Sequence, residues 1–318
     1  MSSLDGGICP SLLWQIDYTE RVMESGLDEL QSRTALDELF ENARKYKTGS
    51  EYLKMLKFVR KFRTYSPFNA MLIYSQRPGA RFVATAHRWS KDHGRVIKPA
   101  AIPIVILQPR GPVMFVFDVS DTEPLQYALP LPEEIEQPFE VRSGNIGKEI
   151  EMTIENALRD GVRVSEKQLG SQMAGSIQKA DSGRHVNAVA SRSPERKVKQ
   201  VPLRYDLIVN GNHSRETRYV TMVHELGHLY CGHLGTPNGK WWHDRSHYIK
   251  PEEKEFEAES VAFLVCGRLG IDNPSESYLS GYLKENSAVP SISLDYVMKA
   301  AGLIEKMGKD SLPLRKEN

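Results

Sequence analysis

The sequence has few cysteines, and none of them stands at the spacing of a metal-binding or redox pair. The cysteines of the 318-residue chain are Cys9, Cys231 and Cys266. An odd number without a C-x-x-C pair argues against a disulfide framework and indicates a reducing compartment. The chain also lacks any run of 18 apolar residues, so no transmembrane helix is expected, and its first residues lack the basic and apolar regions of a secretory signal. These absences predict a cytoplasmic protein without a membrane partner.

The formal net charge is only +1, so the overall balance indicates no partner, but the charges are unevenly distributed. Residues 51–110 hold 12 Lys or Arg against 2 Asp or Glu, whereas residues 121–160 hold 3 against 10. A proline-rich acidic run at 129–138 separates the two stretches and is typical of a linker. The chain is therefore predicted to consist of an N-terminal extension (1–25), a first domain (26–130), a linker (131–139) and a second domain (140–318).

The strongest motif is His-Glu-x-x-His at residues 224–228, inside a stretch with helical periodicity. Residues four apart lie on one face of a helix, so His224 and His228 can offer two imidazoles to one metal ion. Glu225 is then placed to act as a general base on water. This is the zincin arrangement, and the predicted cofactor is Zn²⁺.

A zinc site of this kind needs a third protein ligand, and the acidic helix predicted from Pro251 supplies candidates. Glu255 and Glu259 are four residues apart and share a face beside an apolar stripe, whereas Glu257 points about 200° away from Glu255. Glu255 is the predicted ligand. Glu259 is predicted to contact one of the ligand histidines and to hold it in place without binding the metal itself. No oxyanion donor is identifiable; Tyr230, His233, His243 and Tyr248 are the alternatives.

Residues 26–130 have the pattern of an α+β unit. Helical periodicity covers 34–46 and 50–64, a short helix follows at 68–74, and strands are expected at 81–85, 95–98, 101–108 and 113–118, the last two joined by a turn at Gly111-Pro112. Basic and aromatic residues are interleaved here, as a single-stranded nucleic-acid surface requires. Composition alone, however, favours a small domain with a solvated basic face and aromatic residues in its core. The candidate nucleic-acid residues are Lys61, Arg63, Tyr65, Arg77, Arg81, Arg88, Trp89, Lys91, Arg95 and Lys98.

The segment 58–120 contains Ser66-Pro67-Phe68-Asn69, a threonine, Thr85, before a predicted helix, and the predicted hairpin Gly94-Arg-Val-Ile-Lys98. With these features it resembles the N-terminal domain of the ArdC antirestriction proteins. It departs from that family at Pro99-Ala100, where the family usually has glycine after lysine. That domain is a single-stranded DNA-binding module, so the resemblance implies single-stranded DNA as a partner.

The remainder of the chain is less uniform in pattern. Residues 147–158 are amphipathic and predict a helix, whereas residues 170–200 have the composition of a weakly structured loop. Residues 204–210 predict a strand directly before the metal helix, which is the helix that carries His224 and His228. In zincins an edge strand near that helix commonly lines the cleft and can pair with an extended peptide, which is the role hypothesised for 204–210.

The C-terminal part resembles the metallopeptidase domain that follows the DNA-binding module in ArdC proteins, and it is similar to the ImmA/IrrE peptidases. The matching features are His224-Glu-Leu-Gly-His228, Trp241-Trp242, and the segment from Glu255 to Glu259. The last of these is similar to the acidic helix of gluzincins, in which the first acid binds the metal. The resemblance therefore implies Glu255 as the ligand. The resemblance implies an α+β protein of two domains, a small DNA-binding domain followed by a mostly helical zincin-like metallopeptidase domain.

The sequence leaves different functions open. The first is a zinc metallopeptidase of the antirestriction type that binds single-stranded DNA and cleaves an unknown partner protein. The second is a non-proteolytic protein that shields incoming single-stranded DNA from restriction. A third is a regulatory protease acting on a repressor, as the ImmA/IrrE resemblance suggests. An intact Glu225 favours an enzyme, because a structural metal site needs no general base.

Overall fold

The computed structural model describes residues 49–108, 111–128, 130, 146–169, 174–191, 195–271, 273–286 and 289–316. These residues form two compact units. The described part of unit 1 is 72–130 and that of unit 2 is 49–71 together with 146–316. Residues 49–71 thus group with unit 2, although the sequence places them in its first domain. The predicted extension 1–25, the helix at 34–46 and the linker 131–139 lie outside the described residues, and the domain boundaries stay a prediction.

Unit 1 is a small mixed α/β assembly. Strands β1, β4 and β3 form an antiparallel sheet in that order, and β2 pairs with β5. The elements are the end of α2 (Pro67–Gln76), β1 (Val83–Ala84), α3 (Ala86–His93), β2 (Arg95–Ile97), β3 (Ile104–Gln108), β4 (Gly111–Asp118) and β5 (Thr122–Pro124). The predicted strands are therefore present, but Gly111 and Pro112 belong to β4 rather than to the turn before it.

Helix α3 of unit 1 has clear local signals at both ends. Thr85 caps its start by accepting a hydrogen bond from the main-chain N–H of Arg88. Gly94 ends it in the left-handed region, with φ of 60°, which glycine adopts without strain. Between these ends Trp89 is fully buried and donates its indole N–H to the carbonyl of Phe117 at 2.9 Å. The capped helix is thereby fixed on the sheet.

Unit 2 contains the longer helices. They are α1 (Gly49–Lys61), the start of α2, α4 (Glu149–Arg159), α5 (Arg215–Tyr230), α6 (Pro251–Leu269), α7 (Ser275–Asn286) and α8 (Leu294–Lys309). Helix α6 is central, because nearly all its residues from Phe256 to Arg268 are buried, and it packs against α1, α5, α7 and α8. None of the helices in the described ranges is long and apolar enough for a membrane span.

The sheet of unit 2 has the order β6-β10-β7, with β10 parallel to β6 and antiparallel to β7. Strands β8 and β9 form a separate hairpin. The strands are β6 (Val162–Lys167), β7 (Gly175–Lys179), β8 (His185–Ser191), β9 (Lys197–Pro202) and β10 (Tyr205–Asn210). Helices predominate in unit 2, and the described residues together form a mixed structure of helices and several small sheets.

Two sequence-based expectations about this sheet are wrong. The segment 170–200 is not a weakly structured loop in its described part, because it forms β7, β8 and most of β9. Strand β10 is not an edge strand, because it lies between β6 and β7. The edge strand beside the metal helix is β7, which contacts α5.

Candidate metal centre

Helix α5 places His224, Glu225 and His228. Ser214 caps the helix by accepting a hydrogen bond from the N–H of Thr217, and the helix runs without interruption to Tyr230. His224 and His228 are one turn apart, and their Nε2 atoms lie 3.1 Å from each other. Both side chains are largely buried, with exposed fractions of 20% and 13%. The helix therefore presents two imidazole nitrogens to one point.

Helix α6 brings Glu255 to the same point. Its Oε2 lies 3.5 Å from Nε2 of His224, and its Oε1 lies 3.4 Å from Nε2 of His228. The two helices approach closely at Gly227, where an added Cβ would lie 3.3 Å from Cα of Ala258. The absence of a side chain at Gly227 lets α6 come near enough for Glu255 to reach both histidines.

These donor atoms fit a zinc ion. Tetrahedral zinc with ligands at about 2.0–2.2 Å has ligand atoms about 3.3–3.6 Å apart. The three separations here, 3.1, 3.5 and 3.4 Å, are close to that range. Two neutral nitrogens and one carboxylate are also the donor types that zinc binds in open catalytic sites, with one position left over.

The charges of the site favour a cation at this point. Contacts with His224 and His228 hold the pKa of Glu255 far below its usual range, so Glu255 is a carboxylate. Burial lowers the pKa of His224, but the neighbouring carboxylates, above all Glu255, outweigh burial and raise it overall. Glu259 faces the other nitrogen of this imidazole, with its Oε1 3.6 Å from Nδ1. His224 therefore has a carboxylate on each side of its imidazole ring.

Glu225 lies beside the cluster and is half-buried. Burial raises the pKa of its carboxyl group, and the nearby histidines partly offset this effect. The carboxylate also accepts a hydrogen bond from the main-chain N–H of Ile177 on β7. Glu225 is thus held between the histidine cluster and the edge strand.

The candidate oxyanion donors do not gather at the cluster. Tyr230 is buried and donates to Asp160 at 2.9 Å, and His233 contacts His228 and Glu257. His243 packs against Tyr296, and Tyr248 is 68% exposed.

Sequence reasoning missed a tyrosine on this side of the site, Tyr278 on α7. Burial raises its pKa, and the charges of Glu255 and Glu259 raise it further. The signal available in the sequence is the four-residue spacing of Tyr278 and Tyr282, which puts both rings on one face of α7. Tyr282 packs on Phe256 of α6, so this face of α7 lies toward α6.

The predicted nucleic-acid residues fall into both units. In unit 1, Arg81, Arg88, Lys91 and Lys98 are exposed, Arg77 forms an ion pair with Asp121, and Arg95 donates to Thr122 at 2.7 Å. In unit 2, Lys61 is exposed, Arg63 donates to the carbonyl of Gly267, and Tyr65 stacks with Phe62.

Trp89 does not fit the predicted role. It is fully buried in the core of unit 1 with Phe117, Ala84 and Val119, so its ring has no face available for stacking on a base. The expectation failed because periodicity alone does not distinguish a core tryptophan from an exposed one on a short helix.

The residues from the end of α4 to α6 match a known family model. The matched range is 159–266, and the model is that of the IrrE N-terminal-like domain of peptidases. The matched range contains all of the candidate centre, from His224 to Glu259, and the sequence resemblance to ImmA/IrrE peptidases is confirmed over it.

A solved structure is also similar to the chain, the metal-free crystal structure of the antirestriction protein ArdC from the R388 plasmid. The identity is 15%, the match covers 76% of this chain and 82% of that one, and the TM-score is 0.30. A TM-score this low supports no argument about fold or mechanism. The curated proteins contain no match to the chain.

Proposed function

We propose that the protein is a zinc-dependent metallopeptidase of the antirestriction type, which binds single-stranded DNA and cleaves a partner protein. The observation that carries the proposal is the convergence of His224, His228 and Glu255 beside Glu225. A purely structural zinc site closes all four positions with protein ligands, whereas this cluster supplies three and has a carboxylate next to them. Such a constellation is suited to hydrolysis.

The role of each residue follows from its position. Zinc, when bound, supplies Lewis acidity that makes water a nucleophile near neutral pH. His224, His228 and Glu255 hold it, and Glu259 orients His224 through Nδ1. Glu225 takes a proton from the attacking water onto its carboxylate and passes it to the leaving amine.

Strand β7 is placed to hold an extended peptide next to these residues. Ala180 N–H donates to the carbonyl of Arg204, and Asn210 N–H donates to the carbonyl of Ala174, so even-numbered residues of β7 face β10. The main-chain groups of Gly175, Ile177 and Lys179 therefore point to the other side, where Ile177 meets Glu225. A peptide that added to this edge would run past the general base.

Single-stranded DNA binding is supported by exposed cations on unit 1. Arg88 and Lys91 lie on α3, and Arg81 and Lys98 lie on the segments around it. Because all four side chains are exposed, they can contact the phosphates of a bound strand without a rearrangement of the core. The free, buried thiols of Cys231 and Cys266 fit the predicted reducing cytoplasm.

The direct test is hydrolysis by the purified protein. The zinc-loaded chain is incubated with a complex mixture of protein-derived peptides, with and without single-stranded oligonucleotide, and new amino termini are identified by mass spectrometry. Cleavage that is lost with a zinc chelator and restored by zinc supports the proposal. No cleavage in either condition, with zinc bound, would favour a non-proteolytic role.

A further inference from the structure

A second group of buried polar residues lies behind His228. The Nδ1 atom of His228 is 3.0 Å from Nδ1 of His233, and Nε2 of His233 is 2.8 Å from Oε2 of Glu257. The exposed fractions of the His233 and Glu257 side chains are 1% and 0%. A continuous chain of contacts therefore leads from the candidate ligand into the interior of unit 2.

Glu257 at the inner end of this chain is fixed from several directions. Arg245 donates two hydrogen bonds to its two oxygens, at 2.6 and 2.8 Å, and the N–H of Ser293 donates at 2.7 Å. Arg245 in turn donates to the carbonyl of Cys231 and stacks over the ring of Tyr296, 4.4 Å from its centroid. A buried carboxylate with this many donors keeps its charge and its position.

The cluster is not a second metal site, although Cys231, His233 and Glu257 have donor atoms within 4.8 Å of one another. Both nitrogens of His233 are engaged, one by His228 and the other by Glu257. Both oxygens of Glu257 already accept hydrogen bonds from Arg245. A metal ion there would have to displace a buried bidentate arginine and leave its charge without a partner, which is strongly unfavourable.

The protons along the chain can be assigned from the inner end. Glu257 is a carboxylate and can only accept, so Nε2 of His233 carries a proton and donates it. If Nε2 of His228 offers its lone pair to a metal ion, Nδ1 of His228 carries the proton of that imidazole, and Nδ1 of His233 has to accept it. Nδ1 of His228 then donates to the lone pair on Nδ1 of His233, because two acceptors cannot meet at 3.0 Å.

We propose that His233 is a positioning residue for the metal centre, which holds His228 in the tautomer whose Nε2 lone pair faces His224 and Glu255. The carboxylate that commonly orients a metal-bound histidine acts here through a second imidazole. The arrangement also ties the ligand to Arg245 and to the start of α8 at Ser293. This inference rests on the proposed zinc site and adds to it the residues that prepare one ligand.

The test compares zinc affinity in wild type, His233→Ala and His233→Gln, with His247→Ala as the control because His247 is exposed and outside the chain of contacts. Dissociation constants are measured by competition with a chromogenic chelator, and zinc per chain by elemental mass spectrometry. We expect His233→Ala to weaken zinc binding about 10–100-fold, while one zinc per chain can still be loaded. His233→Gln keeps one acceptor and one donor and should recover part of the affinity. His247→Ala should bind like wild type.

Two further readouts separate positioning from a merely structural role. The melting temperature of the metal-free variants reports the packing contribution of His233, whereas the rise in melting temperature on adding zinc reports the ligand. The visible spectrum of the cobalt-substituted protein reports ligand geometry directly, and His233→Ala should alter its intensity. A lower metal-free melting temperature with an unchanged zinc affinity and cobalt spectrum would contradict the proposal.

The outcomes also distinguish this inference from the proposed function. If wild type binds zinc and His233→Ala binds it equally well, the positioning role is wrong and the zinc site stands. If wild type binds no zinc, both are wrong. If wild type binds two zinc ions per chain and His233→Ala loses one, the buried cluster is itself a metal site and the inference is wrong.

Discussion

The Nε2 atoms of His224 and His228 lie 3.1 Å apart, on side chains that are one helical turn from each other. At this distance two imidazole lone pairs repel unless a proton or a cation lies between them. The oxygens of Glu255 lie 3.4 and 3.5 Å from the same nitrogens, which adds negative charge to the same point. A cation at this point would remove the repulsion between the lone pairs and would compensate the charge of Glu255. The following predictions depend on such a cation.

Replacement of Glu225 by glutamine should retain zinc and abolish hydrolysis. The amide side chain would have nearly the size of the original carboxylate but could not take a proton from water, and general-base catalysis contributes about 10²–10⁴-fold. The measurement is the initial rate of cleavage at equal zinc occupancy. The matched control is Glu216→Gln in the first turn of the same helix, which should cleave at the wild-type rate. Retained activity in Glu225→Gln would rule Glu225 out as the base.

Replacement of Glu255 by alanine should remove most of the zinc affinity, because a direct ligand is lost. Replacement of Glu259 by alanine should have the smaller effect of about 10–100-fold, because Glu259 lies 3.6 Å from Nδ1 of His224 and not beside the nitrogen that faces the other ligands. Both dissociation constants are obtained by chelator competition. Unchanged affinity in Glu255→Ala, together with a large loss in Glu259→Ala, would exchange the two roles.

Replacement of Gly175 by alanine should displace β7 from α5. The added Cβ would lie 2.5 Å from the carbonyl oxygen of Ile208 and 2.6 Å from Cγ2 of Thr221, so the strand has to move. We expect a loss of about 1–3 kcal/mol in the free energy of unfolding and slower hydrolysis, since Ile177 on β7 contacts Glu225. Gly239→Ala is the control, because apart from its two chain neighbours no residue has an atom within 4 Å of the added Cβ. Equal stability of the two variants would contradict the packing described here.

Asp118 in unit 1 should make stability depend on acid pH. Burial by itself would raise the pKa of its carboxyl group, but hydrogen bonds from Ser120 and from the N–H groups of Arg81 and Phe82 lower the pKa overall. A group with a lowered folded pKa stabilises fully above its unfolded pKa of about 3.9 and stops doing so as pH falls through the folded value.

The measurement is the free energy of unfolding of wild type and Asp118→Asn between pH 7 and pH 3. The destabilisation by Asp118→Asn should be constant above about pH 5 and shrink below about pH 4, where wild type also loses its charge. A difference that grows on acidification would show that Asp118 is protonated in the folded protein.

The double replacement of Arg88 and Lys91 by alanine should weaken single-stranded DNA binding and reduce its salt dependence. Removing two cations that each neutralise one phosphate should change the slope of log K against log salt by about 1.4. The measurement is fluorescence anisotropy with a labelled oligonucleotide at several salt concentrations. Lys306→Ala with Lys309→Ala, two exposed cations on α8 of unit 2, is the charge-matched control. Equal slopes for both double variants would place the DNA surface elsewhere.

The sequence predicts the parts of the site that depend on helix geometry. The four-residue spacing of His224 and His228, and the 100° rotation that puts Glu255 toward them and Glu257 away, are local properties that survive packing. The partners of Glu257 could not be predicted, because Arg245 comes from a loop and His233 from the turn after α5, and only the tertiary fold brings them together.

The strands of unit 2 were harder to predict for a different reason. Every residue of β9 from Lys197 to Gln200 is exposed, so the alternation of apolar and polar residues that marks a strand is missing there. The order of strands in the sheet is also not the order in the chain, since β10 pairs with β6 across more than 40 residues. The edge position of β7 depends on that long-range pairing, so the residues of β7 alone do not predict it.

The zinc content of the purified protein tests the central claim most directly. Wild type and His228→Ala are loaded with zinc, desalted and measured by elemental mass spectrometry, with His247→Ala as a histidine control outside the site. The account predicts about one zinc per chain in wild type and in His247→Ala, and almost none in His228→Ala. No zinc in wild type, or equal zinc in wild type and His228→Ala, would contradict it.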